Sequence, residues 1–318
     1  MKQEASINRK GLLNLFIVYI VYGSTYLAIR VAVREGAGFP PFTLGMARLT
    51  LAGVILLLIG FLGRKRLRPT REELVVLTGS GILFWMIANG LVNWSEQRID
   101  SGLAALIVAS LPIWTAIIES VLDRRLPSPR LTAALLIGFI GIFLLSIPSL
   151  RTGTRADMLA VGTILIASIS WAFGAVLQSR RPVGLASEVS SGYQQLIGGI
   201  GVILFIYLAR EPKPTPTPQA LYAWGYLVVF GSIIAFTAFV QTLKLLPTSV
   251  AMTYAYVNPV IAVILGVVIL DEVVTAWTFA GAALVLIGVA GVFHDRYRRE
   301  PIARTASPSP VPLRTDAE

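Results

Sequence analysis

Residues 94–119 read WSEQRIDSGLAALIVASLPIWTAIIE, and residues 241–266 read QTLKLLPTSVAMTYAYVNPVIAVILG. The second stretch repeats the first at a constant offset of 147: Ser95 matches Thr242, Ser101 matches Thr248, Ala104 matches Ala251 and Pro112 matches Pro259. Each copy is an apolar segment that follows a short polar loop and carries a proline in mid-span. A repeat in sequence this apolar is how many membrane carriers are built.

Composition places the repeat in lipid. Of 318 residues, 55% are hydrophobic and 14% are charged, and the mean hydropathy is +0.73. That is about half the charge of an ordinary soluble domain. Segments close to the ~20 residues needed to cross a bilayer fall near 12–30, 42–62, 74–94, 101–121, 131–148, 157–177, 189–209, 221–243, 249–270 and 275–293. The expected fold is all-α, a polytopic membrane protein of ten transmembrane helices in two five-helix repeats. These are residues 12–148 and 157–293, joined by a linker at 149–156. They are flanked by an N-terminal segment, 1–11, and by a disordered basic tail, 294–318, where Arg, Ser and Pro replace the apolar residues. The longest internal connection, 210–220 with its Pro-Thr-Pro-Thr-Pro run, reads as a stiff extended strap.

The net charge of +10 would suggest nucleic acid in a soluble protein, but here it sorts by membrane side. With the N-terminus in the cytoplasm, that side receives 19 basic residues, among them Arg64, Lys65, Arg66, Arg68, Arg124, Arg125, Arg180 and Arg181, and the opposite side receives seven. Both termini are therefore expected to be cytoplasmic, in agreement with an even number of spans. The charge is topology, and no nucleic-acid partner is expected. The first apolar segment runs without a convincing small-residue cleavage site, so it reads as a retained helix rather than a leader.

Several chemistries are excluded by residue type. The chain has no cysteine, which removes disulfides, thiol catalysis and cysteine-based zinc sites. Its one histidine, His294, sits beside Asp295 and Arg296 and reads as an interfacial surface residue. No Gly-x-x-x-x-Gly-Lys-Ser/Thr phosphate loop occurs. Any uphill transport must draw on an ion gradient, an exchange or a partner; no cofactor and no metal are expected.

The duplication extends past the opening pair. Tyr22-Gly-Ser-Thr25 stands opposite Trp171-Ala-Phe-Gly174, and the Gly138–Gly141 step answers Gly288–Gly291. Five spans per unit is an odd number, so the second unit enters the membrane from the other side. The halves are then related by a two-fold axis in the membrane plane, and two nearly equivalent packings become available.

At this point the chain resembles the EamA-type transporters of the drug/metabolite transporter superfamily, and within it the YedA-type bacterial inner-membrane proteins. The likeness is carried by Tyr22-Gly-Ser-Thr-Tyr-Leu-Ala-Ile-Arg30, Ala88-Asn-Gly-Leu-Val92, Ser101-Gly-Leu-Ala-Ala105, Ser168-Ile-Ser-Trp-Ala-Phe-Gly174, Phe230-Gly-Ser-Ile-Ile-Ala235 and Tyr254-Ala-Tyr-Val-Asn-Pro-Val260. The resemblance implies a ten-helix inverted-repeat fold and export of small metabolites or drugs through a central cavity. One departure stands out. After the fourth span the chain reads Leu122-Asp-Arg-Arg125 where the family has a Gly-Glu pair, whereas the second copy keeps an acidic pair, Asp271-Glu272.

Polar side chains deep in spans should face the bundle interior or an aqueous path. The candidate cavity set is Ser24, Thr25 and Tyr26; Arg48; Asn89, Asn93 and Trp94; Trp171 and Gln178; Gln194; Thr237 and Gln241; and Tyr254, Tyr256 and Asn258. Each could equally be interhelical glue. Arg48, matched by Gln194 in the second repeat, reads either as a structural arginine or as a counter-charge for an anionic solute or a gate. Glu119 reads as an interfacial ion pair or a coupling group. Pro112 and Pro259 are expected to kink spans 4 and 9, freeing the carbonyls of Val108 and Ala255 for a pathway or a gate. In the last span of each repeat, Gly138, Gly141, Gly281, Gly288 and Gly291 allow close helix packing, either with each other or in a homodimer.

The reading that follows is a secondary transporter of the inner membrane. It would export a small metabolite or drug-like solute, an amino acid or related compound, by alternating access, with lipid as its surroundings. The alternatives are an integral-membrane enzyme acting on a lipid or isoprenoid, and a partner subunit that does not transport.

Overall fold

The computed structural model describes residues 8–98, 104, 107–151, 158–261 and 276–304. Residues 1–7, Ser101, Gly266, the Asp271-Glu272 pair, most of the expected linker and the tail beyond 304 lie outside the described residues. The described chain is helical throughout its ordered elements. In order they are α1 (Arg9–Val33), α2 (Pro41–Leu62), α3 (Arg71–Ser95), α4 (Leu111–Asp123), α5 (Pro129–Arg151), α6 (Met158–Arg180), α7 (Ser187–Ala209), α8 (Pro218–Leu245), α9 (Thr248–Ala251, continued over 254–261) and α10 (Ala276–Arg304). Six of these, α1, α2, α3, α6, α7 and α8, are individually long and apolar enough to cross a membrane. Leu58, Phe61, Ile200, Leu204, Phe279 and Leu286 are each more than 50% exposed on the outside of the bundle. An apolar exterior of this kind is what lipid requires.

The helix contacts obey the two-fold expected of the repeat. The most extensive pairings are α5 with α10 and α2 with α7, each joining an element to its own counterpart. Helix α1 packs along α8, and its counterpart α6 packs along α3, the counterpart of α8; likewise α3 meets α7 as α8 meets α2. Glycine makes the α5–α10 seam possible. A side chain at Gly288 would stand 2.6 Å from the Gly138 backbone, and one at Gly141 would stand 2.6 Å from the Val285 nitrogen. These glycines therefore serve contact between α5 and α10 within one chain.

Local chemistry sets the helix ends. Thr70 and Glu73 form a reciprocal capping box at the start of α3, and Glu73 also accepts from the Gly184 nitrogen at 2.9 Å, tying the loop before α7 to it. The Pro-rich strap is extended and bonded to the α1–α2 loop, with the Thr215 nitrogen donating to the Gly38 carbonyl at 2.9 Å. Gly38 has φ +80°, and a Cβ there would strike the Thr215 carbonyl, so both its conformation and its neighbour demand glycine. At the strap's start, Glu211 accepts from the Phe42 and Thr43 nitrogens, each at 2.8 Å, and so caps α2 from a distant part of the sequence.

Three sequence expectations change. Helix α10 continues to Arg304, eleven residues past the expected end at 293, and α5 continues to Arg151 into the expected linker. Pro112 does not kink a continuous helix. The chain turns at Ala109–Ser110 and α4 starts afresh at Leu111, with Pro112 in its first turn. A proline there loses a bond that no helix start makes. In the second repeat the turn falls at Met252–Thr253, and Pro259 lies inside the helical run 254–261. By the repeat offset, Ala109–Ser110 corresponds to 256–257, so the prolines are equivalent in sequence and the breaks are not.

A further feature carries no sequence signal. Residues Ile82–Asn89 of α3 and Leu227–Ala235 of α8 are π-helical, in corresponding helices of the two repeats. Wide turns leave carbonyls open to side chains: Ser170 donates to the Leu83 carbonyl at 2.8 Å, and Gln195 to the Ser232 carbonyl at 3.2 Å.

Candidate functional site

The two repeats enclose a cavity of about 70 Å³. Helix α1 contributes Tyr22, Thr25, Tyr26 and Ile29; α2 contributes Arg48; α3 contributes Trp85, Ala88, Asn89 and Val92. Val108 and Leu111 come from around the start of α4, Ala167, Ser168 and Trp171 from α6, and Tyr254 from α9. The floor toward the face that bears residue 8, called the near face, is an aromatic plug. Tyr22, Phe84 and Trp85 of the first repeat interlock there with Trp171, Phe236, Phe239 and Tyr254 of the second. Ring centroids lie 5.3 Å apart for Tyr22–Tyr254, 4.8 Å for Phe84–Trp171 and 4.6 Å for Trp85–Phe236. Most pairs are tilted or edge-to-face, the arrangement that aromatic quadrupoles favour.

Among the described residues, Arg48 is the one cation in the cavity wall. Its side chain is 3% exposed; Nε donates to the Ser232 Oγ at 2.8 Å, and the guanidinium lies 5.4 Å from the Trp85 ring centroid. It passes Gly231, where a Cβ would come within 2.8 Å of Nη2. The glycine is there because the guanidinium needs that space.

Of the sequence candidates, Thr25, Tyr26, Arg48, Asn89, Trp171 and Tyr254 come together at this cavity. The others are placed elsewhere. Ser24 shares a 2.6 Å hydrogen bond with the Tyr226 hydroxyl. Asn93 donates to the Pro41 carbonyl and the Asn89 Oδ1, each at 3.3 Å, and so steadies a cavity residue from behind. Trp94 lies at the opposite, far face, under the Arg98 guanidinium. Gln194 donates to Ser80 at 2.6 Å and to Gln178 at 2.8 Å, joining α7, α3 and α6. Gln241 accepts from Ser187. Thr237 lies outside the lining, its hydroxyl oxygen buried. Tyr256 points away, donating to the Leu135 carbonyl at 2.9 Å and covering Gly138. Residues two apart on a helix are separated by about 200°, so Tyr254 and Tyr256 were bound to part. Asn258, four residues after Tyr254, returns to the Tyr254 face, and the Tyr26 side chain lies against it.

One buried ionisable residue escaped the sequence reading. Glu96, directly after the last residue of α3, is fully buried, and among the described residues neither carboxylate oxygen has a hydrogen-bond partner. The Arg30 guanidinium donates to its backbone carbonyl. Burial holds the Glu96 carboxyl well above the usual range, with Arg30 pulling the other way. The available signal was an acid following the span at the depth of Arg30 in α1. Of the other charges singled out, Glu119 is half-buried near the near face, where neighbouring Asp123 pairs with Arg180 at 2.7 Å, and His294 is exposed.

Comparison with known proteins agrees with this architecture. The model of the EamA-like transporter family matches residues 9–147 and again 158–294. The chain is 32% identical over 287 residues to YedA of Escherichia coli (strain K12), an uncharacterized inner membrane transporter, covering 89% of this chain and 90% of that one. It is 22% identical over 281 residues to the uncharacterized transporter YoaV of Bacillus subtilis (strain 168), covering 88% and 95%. A solved crystal structure shares the fold with a TM-score of 0.70 at 22% identity, over 93% of this chain and 99% of that one. Two family matches, one per repeat, and relatives aligned almost end to end leave one assignment: the chain is a multi-pass inner-membrane protein of the EamA-like transporter family.

Proposed function

We propose that this chain is a secondary transporter that exports a small, partly apolar, polar-headed solute by alternating access, through the cavity between its two repeats. The observation that carries the reading is that cavity and plug are both built jointly from the two halves. A site at the repeat interface is exposed to one side or the other as the halves rock. The near face is taken as cytoplasmic from the basic loops around Arg64–Arg68 and Arg124–Arg125. In that orientation the aromatic plug shuts the cytoplasmic side, and the state is one whose route inward is closed. The plug rings and Val92, Val108 and Leu111 receive the apolar part of the solute, while Thr25, Tyr26 and Asn89 orient its polar head.

The test is flux in proteoliposomes across a panel of amino acids, their analogues and drug-like cations. At least one solute should exchange faster than in empty vesicles, and Asn89→Ala should lower that flux several-fold without changing the melting temperature. No flux for any solute, or wild-type flux in Asn89→Ala, would count against this cavity as the route.

A further inference from the structure

We propose that the solute carries an anionic group, a carboxylate in its simplest form, and that the Arg48 guanidinium is the subsite that holds it. The proposal rests on the transport reading above and adds the chemical class of the solute.

The two repeats differ in charge at one equivalent position. Arg48 of α2 and its counterpart Gln194 of α7 do the same structural work: each is buried, and each donates to a serine on the third helix of the opposite repeat. Arg48 reaches Ser232 of α8 at 2.8 Å, and Gln194 reaches Ser80 of α3 at 2.6 Å. A neutral amide therefore suffices to pin the second helix of a repeat. The charge on Arg48 is surplus to that role, and it is costly, because a cation inside the span must be paired or solvated. No described carboxylate lies within ion-pair distance of it. Gln194 is sealed among Ser80 and Gln178, whereas Arg48 borders the cavity.

The second consideration is what Arg48 keeps free. Nε is committed to Ser232, and the Trp85 face supports the guanidinium from the side. The terminal nitrogens are the part of the group left for a cavity ligand. A guanidinium fork fixed at Nε matches the two oxygens of a carboxylate. An ammonium or other cationic head would meet like charge in a site of low dielectric and be repelled. Trp85 and Trp171 then receive an apolar body attached to the anion, and Tyr26 and Asn89 offer further donors to it.

The experiment is equilibrium binding of radiolabelled benzoate, benzylamine and benzyl alcohol to the purified full-length chain in detergent, corrected for empty micelles. These probes share an apolar ring and differ in charge. Wild type should bind benzoate saturably and at least about tenfold more tightly than the amine or the alcohol. Arg48→Gln, which installs the residue of the other repeat and can keep a bond to Ser232, should lose that preference. Arg48→Lys should retain part of it. Equal or tighter binding of benzylamine or benzyl alcohol, no saturable binding of benzoate, or unchanged benzoate affinity in Arg48→Gln would each overturn the proposal. The ranking in wild type needs no variant, so a misfolded mutant leaves the test intact. Failure of the transport reading looks different: benzoate bound through Arg48 with no flux of any solute upholds the anion site and removes transport. Flux of neutral solutes undiminished in Arg48→Gln upholds transport and removes the anion site.

Discussion

Glu96 shows how a single residue's environment can reverse what its type suggests. An acid at a helix end normally faces water, but here both oxygens are buried, without hydrogen-bond partners among the described residues, and burial pushes the carboxyl up. The folded protein therefore holds a proton on Glu96 at pH values where an unfolded glutamate, with a pKa of about 4.3, has lost it. The sign follows from linkage. This contribution to stability is complete below the unfolded value and declines as pH rises through it, until the raised folded value is passed. Glu96→Gln keeps the shape and removes the proton. The thermal midpoint of the wild type in detergent should thus fall, relative to Glu96→Gln, as pH is raised from about 4, and the two curves should be closest at the acid end. Parallel curves across the whole range would show that Glu96 loses its proton in the fold over the same pH range as in the unfolded chain.

Among the elements, glycine decides how helices meet. At Gly288 a methyl group would stand 2.6 Å from the Gly138 backbone, and backbone cannot step aside as a flexible side chain can; at Gly162 of α6 nothing lies within 4 Å. The same substitution should therefore be costly at one site and harmless at the other. Gly288→Ala should destabilise by about 1–3 kcal/mol, the range for overpacking. Gly162→Ala should be neutral or stabilise by up to about 1 kcal/mol through helix propensity. Thermal unfolding in one detergent would compare them, and equal losses would mean that the α5–α10 seam tolerates separation. The π-helical runs in α3 and α8 belong to this scale too. They place Trp85, Ala88 and Asn89 on the cavity, and they place Ser232 against Arg48.

For the whole molecule the question is which side the plug closes. The chain lacks cysteine, so single cysteines report position without a background. Lys65 is exposed in the loop after α2 and Lys213 is exposed in the strap on the opposite face. A membrane-impermeant maleimide applied to intact cells should label Lys213→Cys and reach Lys65→Cys only after the membrane is broken. The reverse pattern would invert the orientation, and the plug would then close the outer side. Val92→Cys, in the cavity wall on the far side of the plug, should label from outside more slowly than Lys213→Cys and be protected by a transported solute.

Hydropathy and span count, read along the chain, were enough for the class, the repeat and its inversion. Hydropathy decides which segments lie in lipid, and an odd number of spans per unit forces the antiparallel relation, whatever the side chains do. Thr25, Tyr26, Arg48, Asn89, Trp171 and Tyr254, which the fold brings to one cavity, were legible as polar or aromatic groups deep in apolar segments. What the sequence could not separate was cavity from glue, because helical period gives the relative faces of residues on one helix and not which neighbour covers each face. Asn89 and Asn93 share a face, yet one borders the cavity and the other bonds the start of α2. Packing between helices separates the two, as it accounts for the break before Pro112, the π-helical runs and the burial of Glu96. Each of these depends on contacts between segments far apart in the chain, such as Arg48 with Ser232, and such contacts have no local pattern to read.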